Sequence, residues 1–387
     1  MLKHLLFAFF FFTTLAAKEV PIDPLDKTCS DTLSFWKVPG CAVAIVKNDQ
    51  VLLCKGYGTK RISKDDPIDS NTLFPIASLT KTFTAAAIQK LVKLGRCSYD
   101  DPIKKFYPGL NLSLSYATDH TTIHDALSMS SGLAGDSINR DYLTDFDLSE
   151  HQLLAEQLPK IPFPKGFRGM WSYQNFNYLL AGKVFESTPQ KNWQTYISTQ
   201  ILKPNAMNNT LCSYIAFMKT PNRITGHKWI NDQWTEIPIE NFDSIAPAAG
   251  MFSCADDMAV WLKTVSSEIL AGSPTFDSQS IASKEGFFAK DELFTSSVFF
   301  PDCQFLTYGY GWLIHDYRGV KIYHTPGLTD GCTPALAYVP SLNLGIALLT
   351  NAESGFFTNA LLYQIIDQYL GESTDWNTKF FNIANRR

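Results

Sequence analysis

Beyond residue 17, the chain has no apolar run long enough to cross a bilayer. It has no basic stripe of the kind that tracks a phosphate backbone, which argues against a nucleic-acid partner. It has no acidic tail, no low-complexity tract and no internal repeat, so disorder and solenoid architectures find no support. No CxxC pair and no close Cys/His cluster offers zinc a ligand set. No feature calls for a metal or an organic cofactor. The Gly-x-Ser-x-Gly elbow of one large hydrolase class and the HExxH helix of the zinc peptidases are both missing.

What remains is an ordinary globular composition. The 387 residues are 45% hydrophobic and 18% charged, with a formal net charge of −4. That is enough chain for one large domain or two interlocked ones. The opening residues, MLKHLLFAFFFFTTLAAKEV, place a short basic start before an apolar stretch, then small residues at Ala16 and Ala17. This pattern predicts a secretory signal over residues 1–17 and an exported protein, periplasmic or secreted, with no stable membrane span once the signal is removed. Eight cysteines are compatible with disulfides after export. Their spacing does not give the pairing, and buried free thiols are the alternative. A turn at Asn48–Asp49 would not set Cys41 directly opposite Cys54.

The two ends of the chain read as strands. CAVAIVK and QVLLCKGYG flank Asn48–Asp49 as a β-hairpin. YGYGWLIHDY (308–317), VKIYHT (320–325), PALAYV (334–339) and LGIALLTN (344–351) supply further strands. Helices are expected at 26–36, 80–94, 123–129, 150–157, 173–187, 193–201, 254–265 and 357–370. The fold class is therefore α+β: a mostly antiparallel sheet flanked by helices, with a mainly helical region inserted. Residues 18–77 and 300–387 would form the sheet domain, and residues 78–299 the helical region.

Chemistry is suggested first by FPIASLTKTFTAAAIQKLVK, residues 74–93. Lys81 falls one helical turn after Ser78 and in line with Ala85, Ile88 and Val92, the row that should be buried. An apolar setting and a helix N-terminus both disfavour the charged amine. Such a lysine can take the proton of a serine hydroxyl, and the same helix end offers amide N–H groups to an oxyanion. Lys90 and Lys93 read as solvated charges. The spacing by itself is weak, because Ser34 and Lys37 repeat it where Val38-Pro39-Gly40 ends the helix; that copy reads as surface.

Two further stretches join it. In WSYQNFNYLLAG (171–182), Tyr173 and Asn175 sit near a helix start. A phenol beside a lysine can relay protons, and an amide can hold a substrate carbonyl and the lysine together. In YHTPGLTDG (323–331), His324 and Thr325 end a strand, and Gly327 permits close backbone approach. Read singly, a core tyrosine beside a cap and a strand running into a turn explain these two stretches as well.

In register, the three stretches resemble the serine beta-lactamase and penicillin-binding protein family, in its class C-like branch. LFPIASLTKTFTAAAIQKLVKLGRCSYDDPI, TTIHDALSMSSGL, WSYQNFNYLLAGKVFE, ILKPNAMNNT, PAAGMFSCADDMAVWL, YGYGW and HTPGLTDG carry the resemblance across most of the chain. It implies Ser78 as acylated nucleophile, with Lys81 and Tyr173 sharing the proton work. Asn175, His324 and Thr325 would bind substrate, and the amides of Ser78 and Gly327 would form the oxyanion hole. Two departures stand out. Pro326 occupies a position usually held by glycine and has no N–H. Met129 replaces the histidine usual in Leu-x-His-x-Ser-Gly-Leu, with no evident consequence.

The resemblance implies a serine hydrolase acting through an acyl-enzyme on an amide, ester or lactam carbonyl of a small molecule or peptide. His324 in place of lysine favours a D-amino-acid peptide or small ester over a β-lactam. An inactive binding protein on the same fold is the competing reading. Among decoys, His120 and His124 share i,i+4 spacing beside Asp119 but lack a glutamate between them, and an exposed loop is expected there. Gly135-Asp136-Ser137 imitates the start of another esterase motif without following a first strand.

Overall fold

The structure is a computed structural model and describes residues 19–135, 148–282, 298 and 300–385. The expected signal segment and most of the Gly135-Asp136-Ser137 decoy lie outside these residues.

The sheet grows from both chain ends. β1 (Gly40–Lys47) and β2 (Gln50–Gly58) form the expected hairpin. Asn48 and Asp49 both take positive φ, 50° and 60°, the mirror-image turn that matches strand twist. Cys41 faces Tyr57 and Cys54 faces Ala44, so the two thiols are not opposite, and neither is bridged. Two short strands, β3 (Phe74–Pro75) and later β6 (Phe252–Ser253), pair with each other. Between them lies a hairpin the sequence reading missed, β4 (Gly226–Ile230) with β5 (Gln233–Ile237). β7 (Ser280–Ile281), β8 (Leu306–Tyr308), β9 (Leu313–Tyr317), β10 (Val320–Pro326), β11 (Ala335–Val339) and β12 (Leu344–Thr350) complete the set. Among the described residues the main sheet has eight strands in the order β2-β1-β12-β11-β10-β9-β8-β7, with every pair antiparallel.

The expected strand over residues 308–317 is a correction: it breaks into β8 and β9. Gly309 and Gly311 separate them, and Gly311 takes φ +85°, outside any strand conformation. The helix expected from residue 173 begins at Asn175 and runs to Gly182, with Tyr173 in the extended segment before it. The last expected helix is Gly355–Leu370, and a further helix, Trp376–Ala384, follows it.

Both faces of the sheet are covered, which explains why CAVAIVK reads as a continuous apolar run rather than alternating. Val43 and Ile45 face the terminal helices, packing with Leu25, Phe357 and Trp376. Ala42 and Ala44 face the inserted region, with Phe83, Trp261 and Leu262. Gly345 on the same side lies so close to Leu262 that a Cβ would stand 2.9 Å from its Cδ2. Small residues thus let the Ala255–Leu270 helix sit flat on the sheet.

Candidate active site

Ser78 lies in a single 3-10 turn, Ala77–Leu79, that leads into the helix Thr80–Lys93. Pro75 pairs with Phe252, and Ile76 donates to the carbonyl of Met251, so the approach to the serine is tied down on both sides. Ala77 is held at φ 47°, in the left-handed region, at a cost of about 1–2 kcal/mol for a residue with a Cβ. This strained turn directly precedes a partly exposed serine at a helix start, where early amides have no intrahelical acceptor.

The helix is buried nearly all round, more than its apolar row alone implies. Its polar residues are satisfied inside the protein. Thr82 accepts from the indole of Trp261, and Thr84 accepts from Trp193 while donating to the carbonyl of Pro247. Phe83 stacks on Trp261 with ring centroids 3.9 Å apart. Lys90 is half-buried and donates to the carbonyl of Gln200, whereas Lys93 is exposed and pairs with Glu268.

Lys81 is fully buried. Its Nζ lies 3.0 Å from Ser78 Oγ, 2.6 Å from Asn175 Oδ1 and 3.1 Å from the carbonyl oxygen of Ala248. Tyr173 places its ring centroid 4.8 Å from the same nitrogen. The structure therefore gathers Ser78, Lys81, Tyr173 and Asn175. Ala248 is an addition the sequence reading did not name; its carbonyl is presented by the short helix Ala246–Ala249. Of the three oxygens found around Nζ among the described residues, those of Asn175 and Ala248 can only accept, so each takes an amine hydrogen. Ser78 then meets Nζ through a lone pair on the neutral amine or an N–H on the ammonium. The second Ser-x-x-Lys copy is exposed, with Ser34 bonded to Ser30 and Lys37 in a left-handed cap.

Thr325 stands on the same face of the sheet as the helix region, and its hydroxyl donates to the carbonyl of Gly311 at 2.9 Å. Gly311 in turn rests on the helix Thr80–Lys93, where a Cβ would lie 2.9 Å from the carbonyl oxygen of Lys81. This close approach requires glycine and links strand end to helix.

Two expected site residues are placed differently. His324 is fully buried, and it pairs with Ala337, which packs among the terminal helices. Side chains alternate along a strand, so His324 and Thr325 face opposite sides. His324 packs near Phe300 and His315, with ring centroids 6.2 and 5.7 Å away, and its ring nitrogens have no hydrogen-bond partner among the described residues. Burial, with His315 adding a smaller push, holds its imidazole well below the usual range. Among the described residues it makes no ring contact or hydrogen bond with Tyr173. Gly327 lies against the serine turn, where a Cβ would meet Ile76 O at 3.1 Å, but its amide donates to the carbonyl of Pro334 at 2.7 Å. That N–H is committed to the neighbouring strand end.

Met129 has a definite position. It sits at φ 59° just past the helix Ile123–Leu127. His120 is exposed and bonds to Tyr116, while His124 meets Tyr310 at 2.8 Å, so the two histidines do not converge. No metal-binding group of His, Cys, Asp or Glu is found among the described residues.

An antiparallel sheet between terminal helices and an inserted helical region, with a Ser-x-x-Lys helix start at their junction, defines the beta-lactamase/transpeptidase-like fold. The chain belongs to the beta-lactamase family, whose profile matches residues 33–370. Protein flp of Staphylococcus aureus (strain N315) is 25% identical over 340 residues, covering 86% of this chain and 63% of flp. The unguisins hydrolase ungD of Aspergillus violaceofuscus is 24% identical, over 95% of this chain and 69% of that protein. Among solved structures, the octameric penicillin-binding protein homologue from Pyrococcus abyssi superposes with a TM-score of 0.75 at 23% identity, covering 92% of this chain and 78% of that one. A class C beta-lactamase mutant superposes at 0.71 with 17% identity, over 89% of this chain and 98% of that one. The chain thus spans less than two thirds of flp. No helix among the described residues is long and apolar enough to cross a membrane.

Proposed function

We propose that this chain is an exported serine hydrolase that acts through an acyl-enzyme on an amide, ester or lactam carbonyl, with a D-amino-acid peptide or small ester as substrate. The observation that carries the reading is the 3.0 Å contact between Lys81 Nζ and Ser78 Oγ, inside a frame of acceptors that fixes the amine. Ser78 Oγ attacks the carbonyl carbon as its proton passes to neutral Lys81 or, through Lys81, to Tyr173 as the phenolate. The leaving group takes that proton, and water then attacks the acyl-serine in the reverse sense. The Ser78 amide would face the developing oxyanion. Preference against β-lactams is supported by the strand end: no cationic side chain stands at positions 324–327, and the Thr325 hydroxyl is donated to Gly311. Export is supported by the apolar start of the chain.

A second reading is favoured by the Gly327–Pro334 bond. With one oxyanion donor committed, the fold would bind acyl compounds without turning them over. One substrate panel separates the readings: a cephalosporin, a D-Ala-D-Ala peptide, a short-chain ester and a D-amino-acid amide, each followed by product formation and intact mass. Ser78-dependent turnover of the ester or a D-amino-acid substrate, faster than the cephalosporin, supports the hydrolase. No turnover and no adduct with any of them supports the binding protein.

A further inference from the structure

Tyr173 has no helix to hold it, since the helix that follows begins at Asn175. The amides on either side of it both end on Met129. The Ser172 amide donates to the Met129 carbonyl at 3.2 Å. The Gln174 amide donates to the Met129 thioether sulfur at 3.4 Å. The sulfur is itself approached by the Asn177 side-chain amide at 3.7 Å, and Asn177 is held by the Ser131 hydroxyl at 2.9 Å. All of this is closed to solvent: Met129 is 1% exposed and Asn177 fully buried.

Met129 occupies a left-handed conformation at the end of a helix, a place where glycine or asparagine is the usual solution. A longer side chain there carries backbone strain, so the side chain has a reason to be present. Glycine would remove the strain but lose the acceptor for Gln174. A leucine would fill similar space but leave a buried amide without a partner.

We infer that Met129 is a positioning residue for Tyr173, its carbonyl and sulfur clamping the two amides that flank the phenol. The inference rests on the reading of Tyr173 as a proton-transfer group. It gives the residue at position 129 a role: its thioether sulfur is an acceptor beneath the Tyr173 segment.

The test is the rate of Ser78 acylation by a fluorophosphonate and by an activated short-chain ester, measured across pH for wild type, Met129→Leu, Met129→Gln and Tyr173→Phe, with melting temperatures alongside. Met129→Leu should slow acylation by about tenfold at similar KM, the size expected from one lost hydrogen bond in the reacting geometry. It should also displace the alkaline limb of the pH–rate profile. Met129→Gln, whose Oε1 can accept from the same amide, should recover most of the rate. If Met129→Leu is too unstable to assay, recovery by Met129→Gln with the wild-type pH profile still supports the clamp. Wild-type rate and profile in Met129→Leu, or a Gln variant as slow as the Leu variant at equal melting temperature, overturns it. A Tyr173→Phe variant that acylates at the wild-type rate, or a wild type that forms no Ser78 adduct, removes the underlying reading and the inference with it.

Discussion

Gly327 donates its amide to the carbonyl of Pro334 at 2.7 Å, one residue past the end of β10. Backbone groups alternate between the two edges of a strand, so the nitrogen of residue 326 faces the other edge, toward Gly311 and the helix Thr80–Lys93. That residue is proline and has nothing to donate. On the proposed acyl-enzyme reading, an oxyanion at Ser78 therefore finds no amide donor at position 326. Restoring it by Pro326→Gly should raise the Ser78 acylation rate by about tenfold or more, since a single donor in such a pocket carries up to 10²–10³ in rate. Stopped-flow acylation by an activated ester checks this, and an unchanged rate would place the missing donor elsewhere.

Lys81 is buried with no solvent to fall back on. Lys81→Met suits an apolar row and keeps the side-chain length. It should lower acylation by at least about a hundredfold while the chain still folds, because proton removal from Ser78 loses its acceptor. The carbonyl of Ala248 and the amide oxygen of Asn175 lose a donor in the variant, at a stability cost of about 1–3 kcal/mol. Urea unfolding and labelling kinetics on the same sample separate the two effects.

Gly311 joins the strand end to the helix carrying Lys81. Gly311→Ala puts a Cβ 2.9 Å from the Lys81 carbonyl oxygen at φ +85°. The strain and the contact together should destabilise the fold by about 2 kcal/mol or more. Since the clash falls on the Lys81 backbone, activity should fall further than stability alone accounts for. Circular dichroism melting and acylation assays at a temperature well below the transition check both halves.

The imidazole of His324, held low by burial, makes stability depend on pH. The folded chain excludes the protonated ring and the unfolded chain admits it. Below about pH 6.5 the unfolded state binds more protons, so this contribution is whole above that pH and is lost as pH falls toward the depressed folded value. One group can contribute a slope of at most about 1.4 kcal/mol per pH unit. His324→Leu should therefore gain on wild type as pH is lowered from about 7.5 to about 5.5, with equal or higher stability at the upper end because two unpartnered nitrogens are removed. His227, also lowered chiefly by burial, is present in both chains and cancels in the comparison. Denaturant midpoints at the two pH values decide it.

How far the sequence carried depends on whether the controlling interaction was local. The Asn48–Asp49 hairpin, the buried row through Lys81 and the exposed Ser34/Lys37 copy were all legible from spacing. The β4–β5 hairpin was equally local: Asn231 and Asp232 take φ 50° and 60°, repeating the turn at Asn48–Asp49, and the same signal could have found it. The facing of His324 was within reach too, because adjacent strand residues cannot share a side with each other. The break between β8 and β9 was harder. It exists because Gly311 must approach the backbone of Lys81, more than 200 positions away in the chain. The loss of Gly327's amide to Pro334 depends on strand register, and the roles of Ala248 and Met129 depend on tertiary packing. None of these leaves a mark in the local pattern.

The most direct measurement is intact-mass and peptide-mapping analysis after exposure to a fluorophosphonate and to the ester or D-amino-acid substrate that turns over best. Wild type should gain one adduct, mapped to Ser78, and the Ser78→Ala and Lys81→Met variants should gain none on the same time scale. An adduct on another residue, or labelling of Ser78 that proceeds unslowed without Lys81, would contradict the account.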